Sequence, residues 1–213
     1  MNIKVVNATK YIHGSLILDN VSMELTSGKI YGLKGPNWSG KTMLMRLIGG
    51  LIRPTSGTVE INVEKLGAGK DFPASMGLLL ENPAFLPNYT GLKNLELLCS
   101  INERVDIGQI RHTIQDVGLD PDDKRKYRKY SLGMKQRLGI AAAIMEKPDL
   151  LLIDEPTNAL DDKGIDQICS LIRRERDRGA LVIMSCHDAA ILEWMSDEMF
   201  TIYEGRVERN VSL

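Results

Sequence analysis

The residues with the most specific chemistry form one short stretch, GPNWSGKT, at positions 35–42. It fits the phosphate-binding loop pattern G-x-x-x-x-G-K-[ST], in which backbone N–H groups curl around phosphate at the start of a helix. Lys41 would reach the β- and γ-phosphates of a nucleotide, and the Thr42 hydroxyl would ligate Mg²⁺. The candidate nucleotide-binding residues are Gly35, Pro36, Asn37, Trp38, Ser39, Gly40, Lys41 and Thr42.

Trp38 is the unexpected member of this stretch, because it is the bulkiest side chain available in a loop that must wrap its backbone around phosphate. This position is often glycine, which suggests a backbone with φ > 0 or a close approach to other atoms. Holding a non-glycine residue in such a conformation costs about 1–3 kcal/mol. Since phosphate fills the concave side of the loop, we expect the indole to point outward and the site to work.

A second group of reactive side chains follows the aliphatic run LLLI, where Asp154 and Glu155 stand side by side. Ligands of parallel α/β sheets bind beyond the carboxyl ends of the strands, so Asp154 can hold Mg²⁺ through water there. Glu155 is placed to polarise an attacking water. The alternative is a strand that simply ends in an acidic turn, and the phosphate loop upstream makes that alternative the weaker one.

The elements that must position these groups alternate along the chain. Apolar runs typical of buried strands are IKVV, KIYGL, TVEI, MGLLL, LLLI, LVIMS and FTIY. Between them, helices are predicted at residues 41–51, 92–101, 107–117, 132–145, 163–178 and 188–195. This alternation predicts an α/β fold with a mostly parallel sheet flanked by helices. The middle of the chain has helices and no convincing strand, which indicates a helical insertion.

Length and composition exclude several classes of protein. The chain has 213 residues and is 43% hydrophobic, enough for one α/β domain with a proper core. Its net charge of −1 argues against a general nucleic-acid binder. Three scattered cysteines form neither a zinc pattern nor a disulfide framework. Because no secretory signal or membrane-length apolar run is present, we expect a cytosolic protein that needs a partner to reach a membrane.

Three further stretches make the whole pattern recognisable. YSLGMKQRL, at 130–138, resembles the signature motif of ABC ATPases, and NALD, at 158–161, stands where that family has its D-loop. SCHD places His187 at the family's switch histidine, and RPTSG together with Tyr11 also fits. The resemblance covers essentially the whole chain. The chain is similar to a single ABC nucleotide-binding domain of the kind that serves a membrane transporter.

This resemblance implies roles that spacing alone does not assign. Tyr11 would stack on adenine, and His187 would contact the γ-phosphate. Ser131 and Gly133 would bind the γ-phosphate of ATP held by a second copy, because such domains hydrolyse at a composite dimer interface. Ser131 is also suited to cap a helix, and Gly133 lets phosphate approach the backbone. The predicted catalytic residues are Lys41, Glu155 and His187.

The resemblance also implies an architecture and partners. We expect a P-loop NTPase (RecA-like) fold with an N-terminal antiparallel β part, forming one ABC ATPase domain over 1–213. An α/β core at 1–81 and 136–213 would hold an inserted helical subdomain at 82–135. ATP and Mg²⁺ are the implied cofactors, and the implied partners are an integral membrane permease and a homo- or heterodimeric second ATPase domain. The expected location is cytoplasmic, peripheral on the inner face of the cell membrane, with no nucleic acid bound.

Glu81 departs from the usual pattern, since most of the family has glutamine there. Thr42, Glu81 and Asp154 are the predicted Mg²⁺ ligands. A carboxylate binds the cation more strongly than an amide but adds negative charge beside the γ-phosphate. Together with Leu132 and Met134 in place of the usual glycine and glutamine, Glu81 resembles the bacitracin- and lantibiotic-export branch. A solvated loop acid is the alternative reading of Glu81.

Three functions remain open at this point. The favoured one is the ATP-hydrolysing subunit of an ABC exporter, which couples Mg²⁺-ATP-driven dimer closure to export by a separate permease, with peptide antibiotics as the suggested cargo. The second is a soluble ABC ATPase without a permease. The third is a regulatory module that has lost hydrolysis, which Trp38 and Glu81 keep open although the catalytic residues are intact.

A Pro-broken apolar stretch, NPAFLPNYTGL, is the candidate docking surface for the permease. Phe85, Leu86 and Tyr89 would form an exposed patch that suits a short helix. The alternative is that these three side chains pack under the helical subdomain.

Overall fold

The structure is a computed structural model that describes residues 1–67, 71–80, 83–101 and 105–210. Its strands are β1 (Asn2–Ile12), β2 (Ser15–Thr26), β3 (Lys29–Lys34), β4 (Ser56–Ile61), β5 (Glu64–Lys65), β6 (Met76–Leu79), β7 (Leu150–Asp154), β8 (Leu181–Ser185), β9 (Glu198–Tyr203) and β10 (Arg206–Asn210). Its α-helices are α1 (Lys41–Ile48), α2 (Gly91–Cys99), α3 (Ile107–Asp116), α4 (Leu132–Ile144), α5 (Asp162–Asp177) and α6 (Ala189–Met195).

The larger sheet has the strand order β10-β9-β3-β8-β7-β6. All neighbours from β9 to β6 run parallel, and β10 pairs antiparallel with β9 at one edge. Every residue of β7 and β8 is buried, as their continuous apolar runs predict. The mostly parallel sheet is thus confirmed, and the carboxyl ends of β3, β7 and β8 lie side by side.

The smaller sheet confirms the antiparallel N-terminal part, with the strand order β2-β1-β4-β5. It packs with α1 on one face of the larger sheet, while α2 to α6 pack on the other. Strand β7 shows the division, because Leu150 and Leu152 join the first core and Leu151 and Ile153 join the second. Alternate residues of a strand point to opposite faces, so one aliphatic run supplies both cores.

Each of the six predicted helices is present, with ends that move by no more than three residues. Most of them begin where a short polar side chain accepts a hydrogen bond from a free N–H of the first turn. These capping residues are Thr90, Asp106, Ser131, Asp161 and Asp188. The first helix differs, since glycine precedes it and no side chain caps it.

The stretch between β6 and β7 is helical in its described residues, where the only β pairing is an isolated bridge between Thr90 and Lys126. Helices α2, α3 and α4 share one core, to which Leu95, Ile114 and Leu138 contribute. Helix α4 runs through the expected boundary at 135/136. The division of the chain into a core and a subdomain at 82–135 stays a prediction.

Within the described ranges, none of the helices combines the length and the apolar character needed to cross a membrane.

Candidate active site

The loop at 35–40 joins the end of β3 to the start of α1, and its glycines are required by its shape. A Cβ on Gly35 would lie 2.2 Å from the carbonyl oxygen of Ile202, so no larger residue fits without displacing backbone. Gly40 has φ 112, which L side chains rarely adopt. Because no side chain caps α1, the N–H groups of its first turn remain available to an anion.

Lys41 folds back across this loop. Its Nζ donates to the carbonyl oxygens of Gly35 at 2.8 Å and Pro36 at 2.9 Å. The ammonium is thereby held at the mouth of the loop by backbone acceptors.

Trp38 takes the conformation expected for it. Its φ is 68, in the left-handed region that favours glycine, and its side chain is 102% exposed. The outward indole leaves the backbone of the loop accessible. Two other residues near the site, Glu155 (φ 54) and Ala159 (φ 60), share this strained conformation.

Asp154 is the central carboxylate of the site, buried at the end of β7. The Thr42 hydroxyl donates to its Oδ2 at 2.5 Å, and the Ser185 hydroxyl donates to its Oδ1. These bonds join the start of α1 to the ends of β7 and β8 and satisfy a charge that burial would otherwise penalise. The oxygen donors of Thr42 and Asp154 also suit Mg²⁺, which prefers such ligands.

Glu155 lies beside His187. The backbone N–H of His187 donates to Glu155 Oε2 at 2.8 Å, and His187 Nε2 lies 3.6 Å from Oε1. The Gln136 side chain donates to the Glu155 carbonyl oxygen at 2.8 Å, which ties this turn to α4. Burial raises the pKa of the Glu155 carboxyl above its usual value, against the lowering effect of the His187 N–H.

A cavity of about 470 Å³ brings these groups together. The predicted residues that line it are Asn37, Trp38, Gly40, Lys41, Thr42, Asp154, Glu155 and His187. Ile12, Ile17 and Met43 line it as well, and sequence reasoning missed them. Tyr11 is half exposed and directly precedes Ile12 in β1, but it does not line the cavity itself.

Ser185 is a further residue that the sequence analysis did not select for the site. It is the first residue of the SCHD stretch, directly before Cys186 and His187, and the last residue of β8. Its position at the end of a continuous apolar run was the signal in the sequence that could have selected it, because ligands bind at the carboxyl ends of such strands. The pairing of the two strands aligns Asp154 with Ser185.

The signature residues lie elsewhere on the chain. Ser131 caps α4, where its Oγ accepts from the Met134 N–H at 3.2 Å, and its side chain is exposed. A Cβ on Gly133 would lie 2.7 Å from the Ala159 carbonyl oxygen, so this glycine lets the D-loop segment approach α4. Neither Ser131 nor Gly133 lines the cavity of its own chain. Glu81 lies outside the described residues.

The chain is similar to a large family of proteins. The family described as ABC transporter matches residues 18–158, more than half of the chain. The uncharacterized ABC transporter ATP-binding protein YybJ of Bacillus subtilis (strain 168) is 44% identical over 206 residues, which are 97% of this chain and 94% of that protein.

Two relatives have named transport functions. The bacitracin transport ATP-binding protein BcrA of Enterococcus faecalis is 34% identical over 99% of this chain and 69% of its own length. The lantibiotic transport ATP-binding protein SrtF of Streptococcus pyogenes is 35% identical over 96% of this chain and 88% of its own length. The resemblance to the bacitracin and lantibiotic branch is therefore confirmed.

A solved structure has the same fold. The ATP-binding cassette MJ0796, in a dimeric post-hydrolysis state bound to ADP and Pi, superposes with a TM-score of 0.86 at 25% identity. The alignment covers 99% of this chain and 100% of MJ0796. The expected P-loop NTPase fold is confirmed, and family membership supports ATP binding. This chain belongs to the ABC transporter family, as an ATP-binding protein of the ABC ATPase type.

Proposed function

We propose that this chain binds Mg²⁺-ATP in the cavity behind Trp38 and hydrolyses it to drive export through a separate membrane permease. The observation that carries the proposal is the hydrogen-bonded set of Thr42, Asp154 and Ser185. Thr42 and Asp154 line that cavity together with Glu155. Such a set suits a metal-bound triphosphate with a carboxylate beside it.

ATP binding would use the phosphate loop and the apolar residues that line the cavity. The backbone from Gly35 to Gly40, with Pro36, Asn37, Trp38 and Ser39 between them, would surround the phosphates. Lys41 would exchange its two carbonyl acceptors for phosphate oxygens. Ile12 and Ile17 would contact the base or ribose, and Tyr11 would stack on adenine.

Thr42 and Asp154 would hold Mg²⁺, with Glu81 as the third proposed ligand. When bound, the cation neutralises charge on the phosphate oxygens. Glu155 would orient and polarise the attacking water, and its partly buried carboxylate lies within hydrogen-bond reach of the His187 backbone. His187 would contact the γ-phosphate from the exposed side of Glu155.

Hydrolysis would require a second ATPase domain. Ser131 and Gly133 lie away from the cavity of their own chain, so they are free to serve the cavity of another. The dimeric MJ0796 cassette bound to ADP and Pi supports this arrangement. Closure of the two domains on ATP would complete both sites.

Transport would link this cycle to a permease at the inner face of the cell membrane, where the chain would be peripheral. The relatives that transport bacitracin and lantibiotics support a peptide antibiotic as cargo. We propose that the helical subdomain at 82–135 docks the permease and moves against the core at 1–81 and 136–213. Leu86 and Tyr89 are 50% and 46% exposed there, which suits a docking surface.

The proposal is tested first by measuring Mg²⁺-dependent phosphate release from ATP by the purified chain and by Glu155→Gln. Hydrolysis in the parent that is lost in the variant supports the proposed mechanism. ATP binding without hydrolysis in the parent would favour a regulatory module. If the neighbouring reading frame encodes an integral membrane protein, co-expression with it, followed by ATPase assay in lipid, separates a transporter subunit from a soluble ATPase.

A further inference from the structure

Two large apolar side chains are exposed in the sequence motifs of this chain, one in the phosphate loop and one in the signature segment. Trp38 is 102% exposed and Leu132 is 61% exposed. Each stands where the related motif commonly has glycine, so both add apolar bulk that the motif does not need. A bulky residue at φ 68 is also a strained outlier, and such outliers point to a function.

Their positions relate to each other through a second molecule. Trp38 lines the cavity that also contains Lys41 and His187. Leu132 directly follows the helix-capping Ser131, and both are exposed and away from their own cavity. If Ser131 of another copy reaches the γ-phosphate end of this cavity, Leu132 arrives with it, because consecutive Cα atoms lie about 3.8 Å apart. Among the apolar residues that line this cavity, Trp38 is the exposed one, whereas Ile12, Ile17 and Met43 are partly buried.

We propose that Trp38 packs against Leu132 of a second copy of this chain, and that this contact makes a second copy the preferred partner in the ATP-bound dimer. The inference rests on the proposed composite site and deepens it by naming the partner. A two-fold dimer forms the contact twice, since each copy supplies both residues. Tryptophan buried at the centre of an interface commonly dominates binding.

The same contact disfavours other partners. A cassette with glycine at both positions would leave Trp38 and Leu132 facing water or a poorly filled space. Specificity is the difference between the affinities for two partners. The dimer with such a cassette lacks the apolar contact, so its affinity is lower than that of the dimer with a second copy. The chain carries both complementary halves, which favours self-association over pairing with a different ATPase domain.

Cross-linking tests the contact directly. In a Glu155→Gln background, one chain carries Trp38→Cys and a separately purified chain carries Leu132→Cys. The two are mixed with saturating Mg²⁺-ATP and a mild oxidant, and covalent dimer is measured on non-reducing gels. We expect ATP-dependent dimer in the mixture, and far less from either chain alone or from the Glu155→Gln parent.

The native cysteines give this experiment a low background. Cys99 and Cys169 are buried, and burial raises the pKa of each thiol to about 11. Both therefore remain protonated and slow to oxidise at neutral pH. Cys186 is partly buried, and burial raises the pKa of its thiol as well.

Sedimentation run in parallel separates the possible failures. An ATP-dependent dimer that does not cross-link in the mixture would overturn the contact but leave the composite site intact. No dimer at all, in protein shown by equilibrium dialysis to hold ATP, would overturn the choice of a second copy and leave the nucleotide site standing. Absence of ATP binding would instead contradict the proposed function itself.

Dimer affinity gives a second, independent measure. In the Glu155→Gln background, we expect Trp38→Gly to weaken the ATP-bound dimer by at least about thirtyfold, as loss of a central interface tryptophan does. Leu132→Ala should weaken it less, and the double variant should lose less dimer affinity than the sum of the two single losses, because both substitutions remove the same contact. A Trp38→Gly dimer as tight as its parent would overturn the proposal.

Trp194 provides the matched control. It is the second of two tryptophans, it is exposed on α6, and Arg173 stacks on its ring at 3.6 Å. Trp194→Phe should leave the dimer unchanged and make Trp38 the sole tryptophan. In that chain we expect Trp38 emission to shift to shorter wavelength with Mg²⁺-ATP, and Leu132→Ala to reduce the shift. A silent Trp38 in a verified dimer would contradict the contact.

Discussion

The catalytic cavity and the signature segment are built in opposite ways. In the cavity, Asp154 is buried and bonded from two sides, by Thr42 and Ser185. In the signature segment, Ser131 and Leu132 are exposed, and the bond from Met134 N–H to Ser131 Oγ is a local helix cap. The first region is organised by the fold of one chain, whereas the second presents side chains outward.

The two kinds of construction determine which step each region can control. A buried, fully bonded carboxylate is fixed before any ligand arrives, so changes there affect binding and chemistry in each copy. Exposed residues that do not reach their own cavity can act only when another molecule meets them. Substitutions in the two regions should therefore separate, with one group altering the single chain and the other altering assembly.

The largest effect is expected from Glu155→Gln. An amide cannot accept the proton from water as a carboxylate does, so turnover should fall by at least about a hundredfold. ATP binding should persist, and dimer should accumulate with Mg²⁺-ATP. Phosphate release and sedimentation measure both results, with Asp149→Asn, an exposed acid before β7, as control. Full turnover would remove Glu155 from the mechanism.

A large effect of a different kind is expected from Ser131→Arg. The added cation would fill the space meant for the γ-phosphate of the opposite copy, so turnover should fall by at least about tenfold while ATP binding to the single chain changes little. Ser170→Arg, at an exposed position on α5, is the matched control. Weakened ATP binding to monomeric Ser131→Arg would contradict the separation of the two regions.

The docking surface should respond to Leu86→Asp. Leu86 is half exposed, so a charge there should reduce co-purification with the permease several-fold with little change in melting temperature. Leu51→Asp, at a comparably exposed leucine after α1, is the control. Undiminished recovery of the permease with Leu86→Asp would argue against docking at this loop.

Phe85 is less exposed than Leu86 and Tyr89, so its substitution should have a different effect. Its ring packs edge-on against Tyr127 with centroids 5.3 Å apart, and it is partly buried against the core of the helical layer. The expectation that Phe85 belongs to the exposed patch is wrong, because the aromatic partner draws it inward. Phe85→Asp should therefore lower stability as well as docking, which makes Leu86 the cleaner test.

The smallest effect is expected for Trp38→Gly on the ATP affinity of the single chain, which should change little. Trp38 has φ 68 in the structure, so its backbone strain is part of the folded chain itself. The strain therefore lowers the stability of the folded chain more than its affinity for ATP. Glycine should raise the free energy of unfolding by up to about 2 kcal/mol, since relieved strain exceeds the added freedom of the unfolded chain. Urea unfolding and ATP titration measure the two quantities. Loss of ATP binding would show that the tryptophan is required.

Features that are local or strongly patterned could be predicted without a structure. The phosphate loop is contiguous from Gly35 to Thr42, so its residue types and spacing predict it directly along the chain. Strands β7 and β8 were predicted because burial on both faces requires continuous apolar runs. Strand β2 was not predicted, because its buried residues alternate with exposed ones and therefore form no continuous apolar run.

The contacts between distant residues, in contrast, depend on how the strands and helices pack. Thr42 and Asp154 are separated by 112 residues, and their bond exists because β3 and β7 both lie beside β8. The inward turn of Phe85 depends on Tyr127 far along the chain, and Gly133 is needed because Ala159 folds against it. These contacts follow from packing in three dimensions, which no local propensity encodes.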